Sequence, residues 1–122
     1  MKTILFIEDE SALQKTFGDL LAGKGYKMTS ALDGEIGLNL VPKTKPDLIL
    51  LDLILPRING LDVLAKLKGD PETKSIPVII LTNLEGIKEV DRALELGATT
   101  YLVKTQYTLE EVFDKIKKAL EE

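Results

Sequence analysis

Two short apolar runs in this chain end abruptly in acid. Ile4-Leu5-Phe6-Ile7 is followed by Glu8-Asp9-Glu10, and Leu48-Ile49-Leu50-Leu51 by Asp52. Four consecutive apolar residues mark a strand covered on both faces, as in a parallel sheet. Carboxylates are too costly inside such a strand, so they stand where it leaves the core. In open α/β sheets the carboxyl ends of the strands are where ligands bind. If the two strands are neighbours, Glu8, Asp9 and Asp52 converge. Like charges then raise one another's pKa unless a cation lies between them. An all-oxygen donor set of this kind suits a hard cation such as magnesium. Thr82, at the end of Val78-Ile79-Ile80-Leu81, and Lys104, after Thr99–Val103, add a hydroxyl and a compact ammonium, both able to handle phosphoryl oxygens. Singly, each has a plain alternative: Asp52 as a turn cap, Thr82 as a β-former, Lys104 as a solvated strand end. Placed together at one sheet edge, they read as a binding site.

The elements that position these residues alternate. Strands are expected over 2–7, 26–31, 47–52, 78–82 and 99–103, the second of them as an edge strand because it mixes polar with apolar residues. Between them lie helical patterns. Leu13, Phe17, Leu20 and Leu21 mark the first, stopped by Gly23-Lys24-Gly25. The second opens at Asp33-Gly34-Glu35 and is expected to end at Pro42. Leu61, Leu64, Ala65 and Leu67 mark the third, after a loop bracketed by Pro56 and Gly60 and before Asp70-Pro71. Ile87, Val90, Ala93 and Leu94 mark the fourth, with Ile87, Val90 and Leu94 as its expected anchors and Lys88, Glu89, Asp91, Arg92 and Glu95 in water. Asn83 reads as the N-cap of that helix. Thr108 and Glu111 form a capping box for the last helix, whose expected buried stripe is Leu109, Val112, Phe113, Ile116 and Leu120. Alternating strands and helices of this length imply one α/β domain over 1–122: a parallel sheet with right-handed crossovers and helices on both faces.

Composition narrows the chemistry. The 122 residues are 44% apolar and 30% charged, as in an ordinary globular domain. A net charge of −4 leaves no basic surplus for phosphate backbones, against direct nucleic-acid binding. Without cysteine there are no disulfides or thiolate metal sites, and without histidine the usual general base and zinc ligand are missing. No apolar stretch approaches the ~18 residues of a membrane span, and nothing at the N-terminus resembles a signal peptide. A cytoplasmic protein without membrane insertion is expected.

The ordered set Glu8-Asp9, Asp52, Pro56, Gly60, Thr82, Tyr101 and Lys104 resembles the receiver domain of two-component response regulators, along the whole chain. The resemblance implies a flavodoxin-like, doubly wound five-stranded parallel sheet of order 2-1-3-4-5 with five helices. It implies Asp52 as phosphoacceptor. Magnesium would be held by Asp9, Glu8, Asp52 and the backbone carbonyl of Ile54. Thr82 and Lys104 would bind the phosphoryl group, and Thr82 and Tyr101 would act as switch residues. A sensor histidine kinase or phosphotransfer protein would be the donor, small phosphate donors could also serve, and a downstream target would bind at the fourth helix, fifth strand and last helix. The domain would assist only its own phosphorylation and dephosphorylation.

Two features depart from the family pattern. Thr105 follows Lys104 where proline, often after a cis bond, is usual; a non-proline cis peptide costs about 2.5–4 kcal/mol, so this loop either bears that cost or runs trans. The pocket rim carries apolar Ile54 and Leu84, with Asn83 between Thr82 and Leu84, a set expected to slow the attack of water on an acyl phosphate. Three rival readings fit the residues less well. An aspartyl phosphatase usually has a second acid two residues beyond its nucleophile, where Ile54 stands. A flavin or dinucleotide carrier would want a glycine-rich loop in place of Glu8-Asp9-Glu10. A receiver fold kept only for interaction would not need the full set of acids, Thr and Lys. Nothing like an output region follows the last helix, so a free-standing regulator, a relay carrier and a domain of a longer protein are all compatible with the sequence.

Overall fold

In the computed structural model, which describes residues 1–121, five strands form one parallel sheet. They are β1 (Thr3–Ile7), β2 (Lys27–Ala31), β3 (Leu48–Leu51), β4 (Val78–Thr82) and β5 (Thr100–Val103), in the order β2-β1-β3-β4-β5. Helices α1 (Ser11–Gly23), α2 (Gly34–Thr44), α3 (Gly60–Gly69), α4 (Ile87–Glu95) and α5 (Leu109–Ala119) connect and follow them. This is the expected flavodoxin-like architecture, with β2 at one edge and β5 at the other.

Alternation along the strands builds two cores, because successive side chains point to opposite faces. Leu5, Ile7, Ile49, Leu51, Val78 and Ile80 share one core with Val41, Val63, Leu64, Leu67 and Ala93, so α2, α3 and α4 cover that face. Ile4, Phe6, Leu48, Leu50, Ile79 and Leu81 share the other with Phe17, Leu21, Val112, Phe113 and Ile116 of α1 and α5. Phe6 meets Phe17 edge-on at 5.2 Å between ring centroids, a preferred aromatic geometry. Apart from Thr3 at the start of β1 and Thr82 at the end of β4, the three central strands are apolar, and no helix among the described residues is long and apolar enough to cross a membrane.

Several local expectations change. Pro42 lies inside α2, which continues to Thr44. Proline loses the bond its own N–H would make and crowds the carbonyl four residues back, but it leaves the N–H groups that follow free to bond. The final turn is completed by the Thr44 hydroxyl on the Leu40 carbonyl and the Lys45 N–H on the Val41 carbonyl, with Lys45 taking the left-handed conformation that ends the helix. On α4, Ile87 and Leu94 are exposed, Val90 is half-buried, and Ala93 is the buried residue; Glu89 is partly covered. Gly86 occupies the N-cap of α4 without a side-chain cap, and Asn83 lies exposed three residues earlier. Leu109 is exposed at the start of α5, beside a cleft of about 220 Å³ shared with Leu13, Phe17 and Tyr107, while Val112, Phe113 and Ile116 of the expected stripe are buried and Leu120 is half-buried against the same core. The Thr108–Glu111 capping box is present in full.

Candidate functional site

Sheet register brings the acids together. Ile7 pairs with Leu51, so the next residues, Glu8 and Asp52, leave neighbouring strands at the same level, and the Asp52 N–H donates to the Ile7 carbonyl at 3.0 Å. Glu8, Asp9 and Asp52 each offer an oxygen, and the three lie within 4.8 Å of one another. Thr82 pairs with Val103, which places Lys104 just past the end of the adjacent strand. Its Nζ lies 2.9 Å from Asp52 Oδ2 and 2.5 Å from Glu8 Oε1, with Glu10 further out at 3.9 Å. No cis peptide occurs among the described residues. The Lys104–Thr105 bond is trans, and from a 3-10 turn at Lys104–Gln106 the ammonium still reaches both carboxylates.

The loop after β3 is shaped by close backbone approach. A Cβ on Gly60 would run into the Asp52 carbonyl and Leu53 Cα, so only glycine fits there. The Gly60 N–H closes the loop onto the Leu53 carbonyl at 3.0 Å. Within it, the Ile54 N–H donates to Asp52 Oδ1 at 3.1 Å and fixes that carboxylate from the side away from Lys104. The Ile54 side chain points outward, 54% exposed.

The electrostatics are those of a site short of positive charge. Burial pushes the Glu8 carboxyl up; the Lys104 contact opposes this and the Asp52 charge adds to it, leaving a pKa of about 7. Burial pulls the Lys104 ammonium down, but its contacts with Glu8 and Asp52 more than offset this and hold it above the ordinary lysine value. Three carboxylates against one ammonium leave an excess of two negative charges when all are ionised. A divalent cation fits that excess, and the donor set is oxygen alone. Among the described residues three buried side-chain atoms lack a hydrogen-bond partner of good geometry: Gln14 Oε1 and, at the acid cluster, Glu8 Oε1, which meets the Lys104 ammonium, and Thr82 Oγ1. The Glu8 oxygen suits a cation, as its contact with the ammonium shows, and the Thr82 hydroxyl an incoming phosphoryl oxygen.

The remaining expected residues lie near the site without entering the acid cluster. Tyr101 is half-buried, and its hydroxyl donates to the Leu84 carbonyl at 2.9 Å. Burial, with the charges of Glu89 and Asp52, raises its pKa. Leu84 packs partly against the α2–α4 core rather than standing free at the rim. One residue of the site escaped the sequence reading. Gln14 of α1 is buried, and its carboxamide grips the ends of β1 and β2. Its signal was present, since positions 14, 17 and 21 fall on one helical face and a glutamine among Phe17 and Leu21 is out of place there.

A family model for the response regulator receiver domain matches residues 4–117. The DNA-binding dual master transcriptional regulator RpaA of a Synechocystis species is 36% identical over 120 residues, which are 98% of this chain and 49% of that protein. The chain thus spans about half the length of that relative. Among solved structures, the Mn(2+)-bound form of response regulator Rcp1 superposes with a TM-score of 0.83 at 30% identity, covering 97% of this chain and 91% of the other. The BeF3-activated receiver domain of Klebsiella pneumoniae RstA gives 0.91 at 25% identity, covering 99% and 100%.

Proposed function

The chain belongs to the response regulator receiver domains, and we propose that within this family it carries its phosphoryl group on Asp52. The observation that supports this reading most is the position of Asp52: 4% exposed, beside Glu8 and Asp9, with Lys104 Nζ at 2.9 Å. An Asp52 carboxylate oxygen would attack the phosphorus of a phosphohistidine. The new bond is O–P and the bond broken is P–N; the departing imidazole keeps the electron pair and takes a proton from water. These 122 residues contain no histidine, so a phosphohistidine donor would lie outside them, in a sensor kinase or a phosphotransfer unit.

Magnesium, held by Asp9, Glu8, Asp52 and the Ile54 carbonyl, would neutralise charge and align the reacting oxygens. The similar response regulator Rcp1 has a Mn(2+)-bound form, which supports a divalent cation as the ligand of this chain. Lys104 would move from its pairing with Asp52 to a phosphoryl oxygen, and the unpartnered Thr82 hydroxyl would donate to another. Output would pass through Thr82 and Tyr101 to a partner on α4, β5 and α5. We place the protein in the cytoplasm with its donor. Incubation with acetyl phosphate and magnesium should add one phosphoryl mass. Asp52→Asn and EDTA should each abolish the gain; undiminished labelling in either sinks the assignment.

A further inference from the structure

Glu8 and Asp9 stand on a turn that makes little use of ordinary capping. Helix α1 begins with Glu10 in the N-cap position and no side-chain cap. The Glu10 N–H donates to Glu8 Oε2 at 3.2 Å within the turn, and the turn is held also from within α1. Gln14 Nε2 lies 2.7 Å from the Phe6 carbonyl, 3.1 Å from the Glu8 carbonyl and 3.1 Å from the Ala31 carbonyl. Three carbonyl acceptors around one atom require the amide nitrogen there, since an amide oxygen could bond none of them. The Ala31 carbonyl also accepts the Glu8 N–H at 2.9 Å. Gln14 therefore joins the end of β1, the end of β2 and the peptide of Glu8 itself. The cost of the arrangement is visible, because Gln14 Oε1 is buried without a hydrogen-bond partner among the described residues. A leucine would fill such a position in α1 with no polar atom to satisfy.

From this grip we infer that Gln14 is a positioning residue for the cation site, setting the Glu8–Asp9 turn to the geometry that magnesium demands. The inference rests on the proposed magnesium binding at Glu8, Asp9 and Asp52. Magnesium requires near-octahedral oxygens at about 2.0–2.1 Å, whereas calcium accepts longer and more variable ligands. A turn released from Gln14 therefore loses more affinity for magnesium than for calcium. A residue that merely stabilised the fold would not change that ratio. Partners that orient ligands typically contribute about 10- to 100-fold in metal affinity.

The test is calorimetric titration of the folded protein and of Gln14→Met, similar in length but without donors, with magnesium and then with calcium. At least about a tenfold loss for magnesium is expected, with a smaller loss for calcium. Equal magnesium affinity, or equal losses for both ions, overturns the inference. Absence of magnesium binding by the unaltered protein would instead overturn the proposed site. Should Gln14→Met fail to fold, NMR of the unaltered protein decides. The Gln14 side-chain NH2 signals should shift during a magnesium titration with the same midpoint as the Glu8 and Asp9 amides, and signals that stay in place overturn the inference.

Discussion

Lys104 stands between Glu8 and Asp52 and supplies the site's own positive charge. Its removal has two opposite consequences. Lys104→Met leaves two buried carboxylates facing each other, so metal-free stability should fall by about 2 kcal/mol, as for loss of charged hydrogen bonds. The same change removes a cation that competes with magnesium, so magnesium should restore more stability to this variant than to the parent. Thermal melts with EDTA and with saturating magnesium check both; equal magnesium gains in the two proteins would contradict the competition. Glu8 adds a pH dependence. Its folded pKa of about 7 lies above the ordinary 4.5. Below pH 4.5 it is protonated in both folded and unfolded chains. Between 4.5 and 7 the unfolded chain releases the proton and the folded chain keeps it, so stability falls as pH rises. The penalty is complete above pH 7 and reaches at most about 3 kcal/mol. Glu8→Gln should lack this slope, and magnesium should flatten it in the parent. A parent whose metal-free stability is level across that window would show that Glu8 titrates normally.

At the scale of elements, the loop between β3 and α3 carries the tightest constraint. A Gly60→Ala variant must move the Asp52 carbonyl or Leu53, at about 2 kcal/mol or more. Labelling of Asp52 should fall with it, because the Ile54 N–H that orients the carboxylate belongs to the same loop. Parental stability and labelling in this variant would mean that the loop has room to spare. The outward-facing Ile54 bears on the lifetime of the acyl phosphate. With no polar group there to orient water, hydrolysis should be slow, and Ile54→Asn should speed dephosphorylation by about tenfold, equivalent to about 1.4 kcal/mol; an unchanged rate removes the residue from the kinetics. The strands and site acids were legible in the sequence because a buried parallel strand must be continuously apolar and its first acid must mark the exit. The misjudged features all lie at helix ends or on a single helical face. Pro42 was compatible with the last turn of α2, and Leu109 stands at the start of α5, where a cleft rather than the core receives it. Gln14 was hidden because periodicity counts apolar residues and passes over a polar one placed among them.

Across the whole molecule, a short stretch of backbone and one hydrogen bond lead from the end of β4 beside the acid site to α4. Thr82 ends β4 with its hydroxyl unpartnered, the Leu84 carbonyl two residues on accepts from Tyr101, and α4 begins shortly after at Ile87. α4 is weakly anchored. Ala93 is its buried residue, Ile87 and Leu94 are exposed, and its N-cap has no side-chain bond. Elements with few buried apolar contacts open at low free-energy cost. A phosphoryl group on Asp52 that draws in the Thr82 hydroxyl would shift the Asn83–Leu84 backbone and with it the Tyr101 bond. Phosphorylation can change the population of α4 states only if those states differ in such contacts. Beryllofluoride with magnesium should therefore alter hydrogen exchange of α4 amides in the parent, while central β4 amides stay protected. The response should be much reduced in Thr82→Ala and in Tyr101→Phe. The double variant should lose little more than either single one, because both act on one path. An α4 that responds fully in Tyr101→Phe would show that the signal leaves the site by another route, and one that never responds in the parent would show that the exposed Ile87 and Leu94 face is not under the control of Asp52.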